Sequence, residues 1–373
     1  MEFQNRCKSN KSSEKFEVSD IFLRISEQIN SDDHPKTYEE TINYLVSRLE
    51  LSDICGDHLK VFDISADYMN GIIDFGGADV MVKICEALKE AVISSVAEEV
   101  AVRQCVRTVL IAGPSSSGKT TFCKKMSYAL QQQGLHPVGI SLDDYYCDNE
   151  KAPREPGGKP DWESLYALNL DLLQEHIDTL LNGGVIRMPR FDFTTGKGTL
   201  TDKTLKLQDD DVLLLEGIHA LNPKLLERVN VQPDSFLKIY ISALTSFRNP
   251  DGTIFPTTDN RLIRRIVRDS QFRNTTAQHT LSRWDSVRRG EEKWIVPFQC
   301  NADVNVNSAF QYEYCLLREH AIPLLQQVSP DTQEHIEAQR LIALLQKYHN
   351  IKVDYLPPYS LLREFLGGSA YEY

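Results

Sequence analysis

The sequence predicts an α/β fold, a parallel sheet covered by helices on both faces and preceded by a mainly helical N-terminal extension. Three observations carry this expectation. Five short apolar, β-branched runs (Val109–Ala112, Val138–Leu142, Val212–Leu215, Phe236–Ile241 and Val304–Val306) are separated by helical stretches such as Leu168–Leu181 and Arg261–Arg273. Near-continuous apolar strands in that rhythm belong to parallel sheets buried on both sides. The first run leads directly into Gly113-Pro114-Ser115-Ser116-Ser117-Gly118-Lys119-Thr120, with helix-compatible sequence from Thr121 to about Gln133. The charged residues that could do chemistry fall at or just after the carboxyl ends of the runs, where ligands bind on such sheets.

In order along the chain, residues 1–16 are polar and rich in Lys, Ser and Asn, a disordered start. Residues 17–103 form the helical extension. Ile21, Phe22, Ile25 and Ile29 mark one apolar face, and Ile42, Leu45, Val46 and Leu49 mark a second. The signal is mixed over 61–77, and a further helix runs from Asp79 to about Val100. No catalytic constellation lies in these first hundred residues. The sheet-bearing domain spans 104–330. Residues 331–373 add a helix from about Thr332 to Tyr348 and a Pro-containing tail that includes Arg363-Glu364-Phe365-Leu366-Gly367-Gly368-Ser369.

The loop after the first run has the spacing G-x-x-x-x-G-K-[ST] in the strand–loop–helix setting of a P-loop NTPase. Small residues let consecutive backbone N–H groups curl around a phosphate at a helix N-terminus. Gly113, Pro114, Ser115, Ser116, Ser117, Gly118, Lys119, Thr120 and Thr121 are thus the expected ATP-binding segment. Lys119 can reach the β- and γ-phosphates, and the Thr120 hydroxyl can hold Mg²⁺.

The second run ends at Asp143-Asp144. A carboxylate there can accept a hydroxyl proton or orient Mg²⁺, or the pair can simply open a solvated loop. The third run ends in Glu216-Gly217-Ile218-His219. A charge behind four apolar residues is costly in isolation, which either Mg²⁺ or exposure of the strand end would resolve. His219 suits a structural role. Arg261, Arg264, Arg265 and Arg268 recur at helical spacing, followed by Arg273. They form either a lid over ATP phosphates or a solvated face. The segment Gly158-Lys159-Pro160-Asp161-Trp162-Glu163 offers a carboxylate for sugar hydroxyls, and Met188-Pro189-Arg190-Phe191-Asp192-Phe193 offers aromatic faces for a planar base, or each is ordinary packing and turn sequence. Trp284 and Trp294 suit helix packing, and His279 a helix end.

Across 373 residues, 41 Lys and Arg stand against 53 Asp and Glu, a formal charge of −12. That balance argues against a general nucleic-acid or anionic-membrane binder. Eight cysteines without a C-x-x-C pair suit a reducing compartment. No apolar run approaches a membrane span, and the N-terminus has no signal-peptide core. The expectation is a cytoplasmic protein acting on a small molecule, with homo-oligomerisation open.

Taken together, the Gly-Pro-Ser-Ser-Ser-Gly-Lys-Thr-Thr, Ser-Leu-Asp-Asp-Tyr-Tyr, Pro-Arg-Phe-Asp-Phe, Leu-Glu-Gly-Ile-His-Ala-Leu-Asn and Arg-Leu-Ile-Arg-Arg-Ile-Val-Arg-Asp segments resemble the uridine kinase/phosphoribulokinase family. Their order and spacing are similar over residues 107 to about 328. The Arg-Glu-Phe-Leu-Gly-Gly-Ser and Trp-Asp-Ser-Val-Arg-Arg-Gly-Glu segments look like a bacterial-type uridine kinase-like branch. The resemblance implies a nucleoside kinase-like fold using ATP and Mg²⁺. Asp143 would be the base, Lys119 would hold the ATP phosphates, and Thr120, Glu216 and Asp143 would position the metal. Asp161 matches the position that holds the ribose hydroxyls, and Tyr146 and Phe191 match aromatic positions around the base. Arg265 would face the acceptor, Arg268 and Arg273 the phosphates. Two positions depart from the family pattern. Gly196 stands where a pyrimidine-reading histidine is expected, and Arg273-Asn274-Thr275 replaces Arg-Gly-Arg.

Overall fold

The computed structural model describes residues 62–372 apart from 65, 75, 156, 231 and 249–253. The disordered start and both apolar faces expected before residue 50 lie outside the described residues. In chain order the elements open with β1 (Phe62–Ile64), α1 (Ala66–Asp74) and α2 (Ala78–Val102). The phosphate-loop unit follows as β2 (Thr108–Ala112) and α3 (Lys119–Gln132), then β3 (His136–Ser141) and α4 (Leu170–Leu181). Next come the hairpin β4 (Ile186–Asp192) and β5 (Lys197–Leu205), β6 (Asp211–Glu216), β7 (Phe236–Ser242), β8 (Thr245–Arg248) and β9 (Ile254–Phe255). The chain continues through α5 (Thr258–Arg273), α6 (Ala277–Trp294), β10 (Val304–Asn307), α7 (Glu313–Leu325), α8 (Glu334–Leu345) and α9 (Arg363–Leu366).

All five expected strands join one sheet in the order β10-β7-β2-β6-β3, every neighbouring pair parallel. The chain order reverses about β2, with β6 and β3 on one side and β7 and β10 on the other. A crevice opens at the carboxyl ends beside such a reversal. β3 is one of the two edge strands, and it tolerates Pro137 and Gly139 because part of it faces solvent.

Side chains on β2 alternate between two apolar layers, as the period of a strand requires. Val109 and Ile111 meet α2, α3, α5 and α7, whereas Leu110 and Ala112 meet the layer that holds α4. On α2 the buried set Met81, Val82, Cys85, Val92, Ile93, Val96 and Val100 follows helical spacing against that first layer. α4 buries Leu173, Ile177 and Leu180 on the opposite face, and the Asn169 side chain caps it by accepting from the Leu172 N–H at 3.3 Å.

The hairpin β4–β5 has no counterpart among the apolar runs of the sequence. β5 is mostly Lys, Thr, Gly and Asp and largely exposed, so pairing with β4 rather than burial defines it. β1 likewise pairs in parallel with β8, tying the segment before α1 to the part of the chain that follows β7. The six cysteines among the described residues are all unpaired. Among the described residues no helix is long and apolar enough to cross a membrane.

Candidate active site

The loop between β2 and α3 is tight because its backbone demands it. Gly118 sits at φ +86 and Ser116 at φ +60, both left-handed, and the Ser117 N–H closes a turn onto the Pro114 carbonyl at 3.2 Å. A Cβ at Gly113 would lie 1.9 Å from the Ile241 carbonyl oxygen, so the loop leaves β2 hard against β7. Lys119 Nζ donates back to the Pro114 carbonyl at 3.1 Å. The hydroxyls of Ser116 and Ser117 are buried without a protein partner.

Two arginines hold the loop from behind. Arg261 donates to the Ser115 carbonyl at 3.1 Å and forms a bidentate pair with Glu291 of α6. Arg264 forms another with Glu313 of α7 and donates to the Ser308 carbonyl at 2.8 Å. Both pairs are buried. This corrects the expectation of a four-arginine face turned to phosphate. α5 buries Leu262, Ile263, Ile266 and Val267 with Arg261 and Arg264 among them, so it is a core helix. Two of its arginines serve as internal braces.

The remaining three, Arg265, Arg268 and Arg273, converge on one carboxylate. Asp269, itself buried, pairs with Arg265 at 3.4 Å, Arg268 at 2.7 Å and Arg273 at 3.7 Å. Arg265 also donates to Ser115 Oγ at 2.9 Å. Spacing on α5 hints at this, since Asp269 lies four residues from both Arg265 and Arg273.

Opposite these cations stand the carboxylates. β3 delivers Asp143 into a short helical turn whose N-cap, Ser141, accepts from the Asp143 N–H at 3.3 Å. The Asp143 side chain keeps contact with solvent in the cleft, while the protein crowding around it raises its pKa. Lys119, Arg273 and Arg268 act in the opposite direction. β6 delivers Glu216, buried at the strand end, where Ser141 Oγ donates to Oε1 at 3.0 Å. Burial and then the Asp143 charge push the Glu216 carboxyl upward, and Lys119 opposes them. Burial lowers Lys119 in turn. Among the described residues no group of three or more His, Cys, Asp or Glu side chains forms a metal cluster.

The aromatic positions gather beside Asp143. The Tyr146 ring lies 5.4 Å from Trp162, 5.6 Å from Phe191 and 5.8 Å from Phe193, and Tyr146 OH donates to the Trp162 carbonyl at 3.1 Å. Asp161 is half-buried at this cluster, within electrostatic reach of Tyr146. Glu163, two residues on, lies within electrostatic reach of Arg265 and Lys119, and one of its oxygens is buried without a protein partner. Burial pushes the Glu163 carboxyl up to about 7. Gly196 turns the β4–β5 hairpin at φ +67, and a Cβ there would meet Asn149 Cβ at 3.0 Å. His219 is fully buried, and burial pulls its pKa down to about 4, so it is a neutral packing residue. His279 lies in the first turn of α6, its N–H bonded to the Thr276 hydroxyl.

Fold and loop together define a class: an α/β protein with a phosphate loop between its central strand and the following helix. Residues 108–313 match the family model described as Phosphoribulokinase / Uridine kinase family, and the chain belongs to that family of kinases. The uridine kinase of Ureaplasma urealyticum is 28% identical over 199 residues, covering 53% of this chain and 86% of that one. The uridine kinase of Vibrio atlanticus is 30% identical over 206 residues, covering 54% and 87%. A solved structure from Bacillus stearothermophilus, named as a possible uridine kinase, aligns with a TM-score of 0.35 at 18% identity over 54% of this chain and 89% of that one.

Proposed function

We propose that the chain uses ATP to phosphorylate the 5′-hydroxyl of a nucleoside, with uridine or cytidine as the leading acceptors, releasing ADP. The observation that carries the reading is that Lys119, Arg273 and Arg268 all act electrostatically on the Asp143 carboxyl beside the phosphate loop. Asp143 takes the proton from the acceptor hydroxyl, and Lys119, Arg268 and Arg273 offset charge on the transferring phosphoryl group. Phosphoryl transfer asks for positioning and neutralisation more than for covalent help.

The donor set fits Mg-ATP. Two buried loop hydroxyls without protein partners await an acceptor, and the Asp143 charge adds to burial in pushing the Glu216 carboxyl upward, a load that a bound cation would relieve. Thr120, Glu216 and Asp143 would hold Mg²⁺, which supplies neutralisation of the phosphate oxygens. On the acceptor side, Tyr146 and Phe191 form an aromatic wall, with Asp161 and Arg265 as polar contacts. Pyrimidine salvage in the cytoplasm is the setting this reading implies.

A second reading keeps the machinery and changes the acceptor to another small hydroxylated metabolite. Gly196 favours it, because neither its φ nor Asn149 leaves room there for a base-reading side chain. ADP release from Mg-ATP, measured with uridine, cytidine and a panel of other acceptors against a Lys119→Ala blank, separates the two. Nucleoside-stimulated release that vanishes in the blank supports the first reading. A non-nucleoside winner establishes the second, and ATP binding without turnover on any acceptor removes both.

A further inference from the structure

α3 opens at Lys119 with Gly118 as its N-cap, and the first helical bond at this end runs from the Phe122 N–H to the Gly118 carbonyl at 3.0 Å. The N–H groups of Lys119, Thr120 and Thr121 therefore have no carbonyl one turn back within the helix. Such donors at the mouth of a phosphate loop are the ones that meet an anion. At Thr121 an anion is already present. Glu364, 243 residues along the chain, accepts through Oε2 from the Thr121 N–H at 3.2 Å and from Thr121 Oγ1 at 2.6 Å. Its charge also acts on Lys119 and Glu216, which places it in the same electrostatic pocket as the reacting groups.

We propose that the Glu364 carboxylate occupies part of the phosphate site in the ligand-free chain and gives way to a nucleotide phosphate, making the C-terminal tail an intramolecular competitor for ATP. The proposal rests on the phosphate-loop reading above and adds a regulation to it. A carboxylate and a phosphate group cannot share the same two donors, because at that separation the like charges repel strongly in a partly buried site.

The tail around Glu364 is firmly seated. Leu361 lies so close to Gly118 that a Cβ there would come within 2.4 Å of it. Phe365 is buried with its ring 5.0 Å from the Arg264 guanidinium carbon, and Gln271 Nε2 donates to the Leu366 carbonyl at 3.0 Å. Arg363 donates to the Leu356 carbonyl at 2.6 Å. Glu364 itself is only half-buried. Rotation of the Glu364 side chain breaks both of its bonds to Thr121 while the tail stays in place. Nucleotide binding then selects the rotated state, and the apparent affinity falls by the fraction of chains in which that state is open.

The test is direct titration of Mg-ATP without acceptor into the full chain, by calorimetry, for wild type, Glu364→Gln and Glu364→Ala. The proposal predicts a Kd about tenfold lower in Glu364→Ala, the worth of one charge-assisted hydrogen bond removed from the competing state. Glu364→Gln gains less, because its amide oxygen still accepts without charge, and it carries the test should the alanine variant fail to fold. A Kd unchanged or raised in the variants overturns the proposal and makes the carboxylate a helix cap. Absence of ATP binding in wild type as in Lys119→Ala overturns the phosphate-loop reading itself, and the proposal with it.

Discussion

Arg264→Met probes the scaffold behind the phosphate loop at its most committed point. The guanidinium and its partner Glu313 are 0% and 1% exposed. Arg264 makes a two-armed contact with that carboxylate, donates to the Ser308 carbonyl at 2.8 Å and lies over the Phe365 ring. Methionine keeps most of the volume and removes every donor. Among the described residues, Glu313 then remains buried with hydrogen bonds from the Asn260 amide and the Phe310 N–H alone, each at 3.2 Å. Removing one partner of a buried pair typically destabilises by about 3–5 kcal/mol. At about 2–4 °C per kcal/mol for a domain of this size, the melting temperature falls by about 6–20 °C. Thermal unfolding followed by circular dichroism reads the shift. The double variant Arg264→Met/Glu313→Leu should recover a substantial part, since a buried ion pair replaced by apolar groups is often close to neutral. A single variant within about 1 kcal/mol of wild type, or a double variant no more stable than the single, refutes the reasoning.

Two further outcomes follow from positions in the same region. Gly113→Ala drives a Cβ into the backbone of β7 and should lower the urea midpoint by the equivalent of about 1–3 kcal/mol, whereas Gly139→Ala on the edge strand, with open space around it, stays within about 1 kcal/mol. Glu163→Gln tests the burial that raises that carboxyl from 4.5 to about 7. A carboxyl raised by folding binds more protons folded than unfolded, so it costs stability as pH climbs from 4.5 through 7 and nothing below 4.5. The variant should therefore gain over wild type at pH 8, by up to about 3 kcal/mol, and gain little at pH 4.5. Equal differences in melting temperature at the two pH values would contradict it.

What the sequence discloses here is local. β2, β6 and β7 are legible because their residues are apolar on both faces, and the phosphate loop because its chemistry is packed into eight consecutive positions. α5 shows the limit of such reasoning. Arg261, Arg264, Arg265 and Arg268 share a helical spacing, yet Glu291 and Glu313 take two of them into the core and Asp269 gathers the other two with Arg273. The acids that divide the set lie on α6, α7 and α5 itself, and a charge count cannot say which arginine meets which acid. Glu364 is hidden for the same reason, since its contact with Thr121 spans most of the domain. The β4–β5 hairpin escapes because β5 has no apolar pattern, only a partner strand.

The proposed role of Asp143 is to take the acceptor's proton beside a phosphate loop that binds ATP without its help. The measurement that tests it most directly is single-turnover phosphoryl transfer from ATP in wild type and Asp143→Asn, with the ATP Kd of each determined separately. The account predicts an ATP affinity that is largely retained and a transfer rate lower by about 10²–10⁴, the range of general-base catalysis. Transfer at the wild-type rate in Asp143→Asn would contradict it.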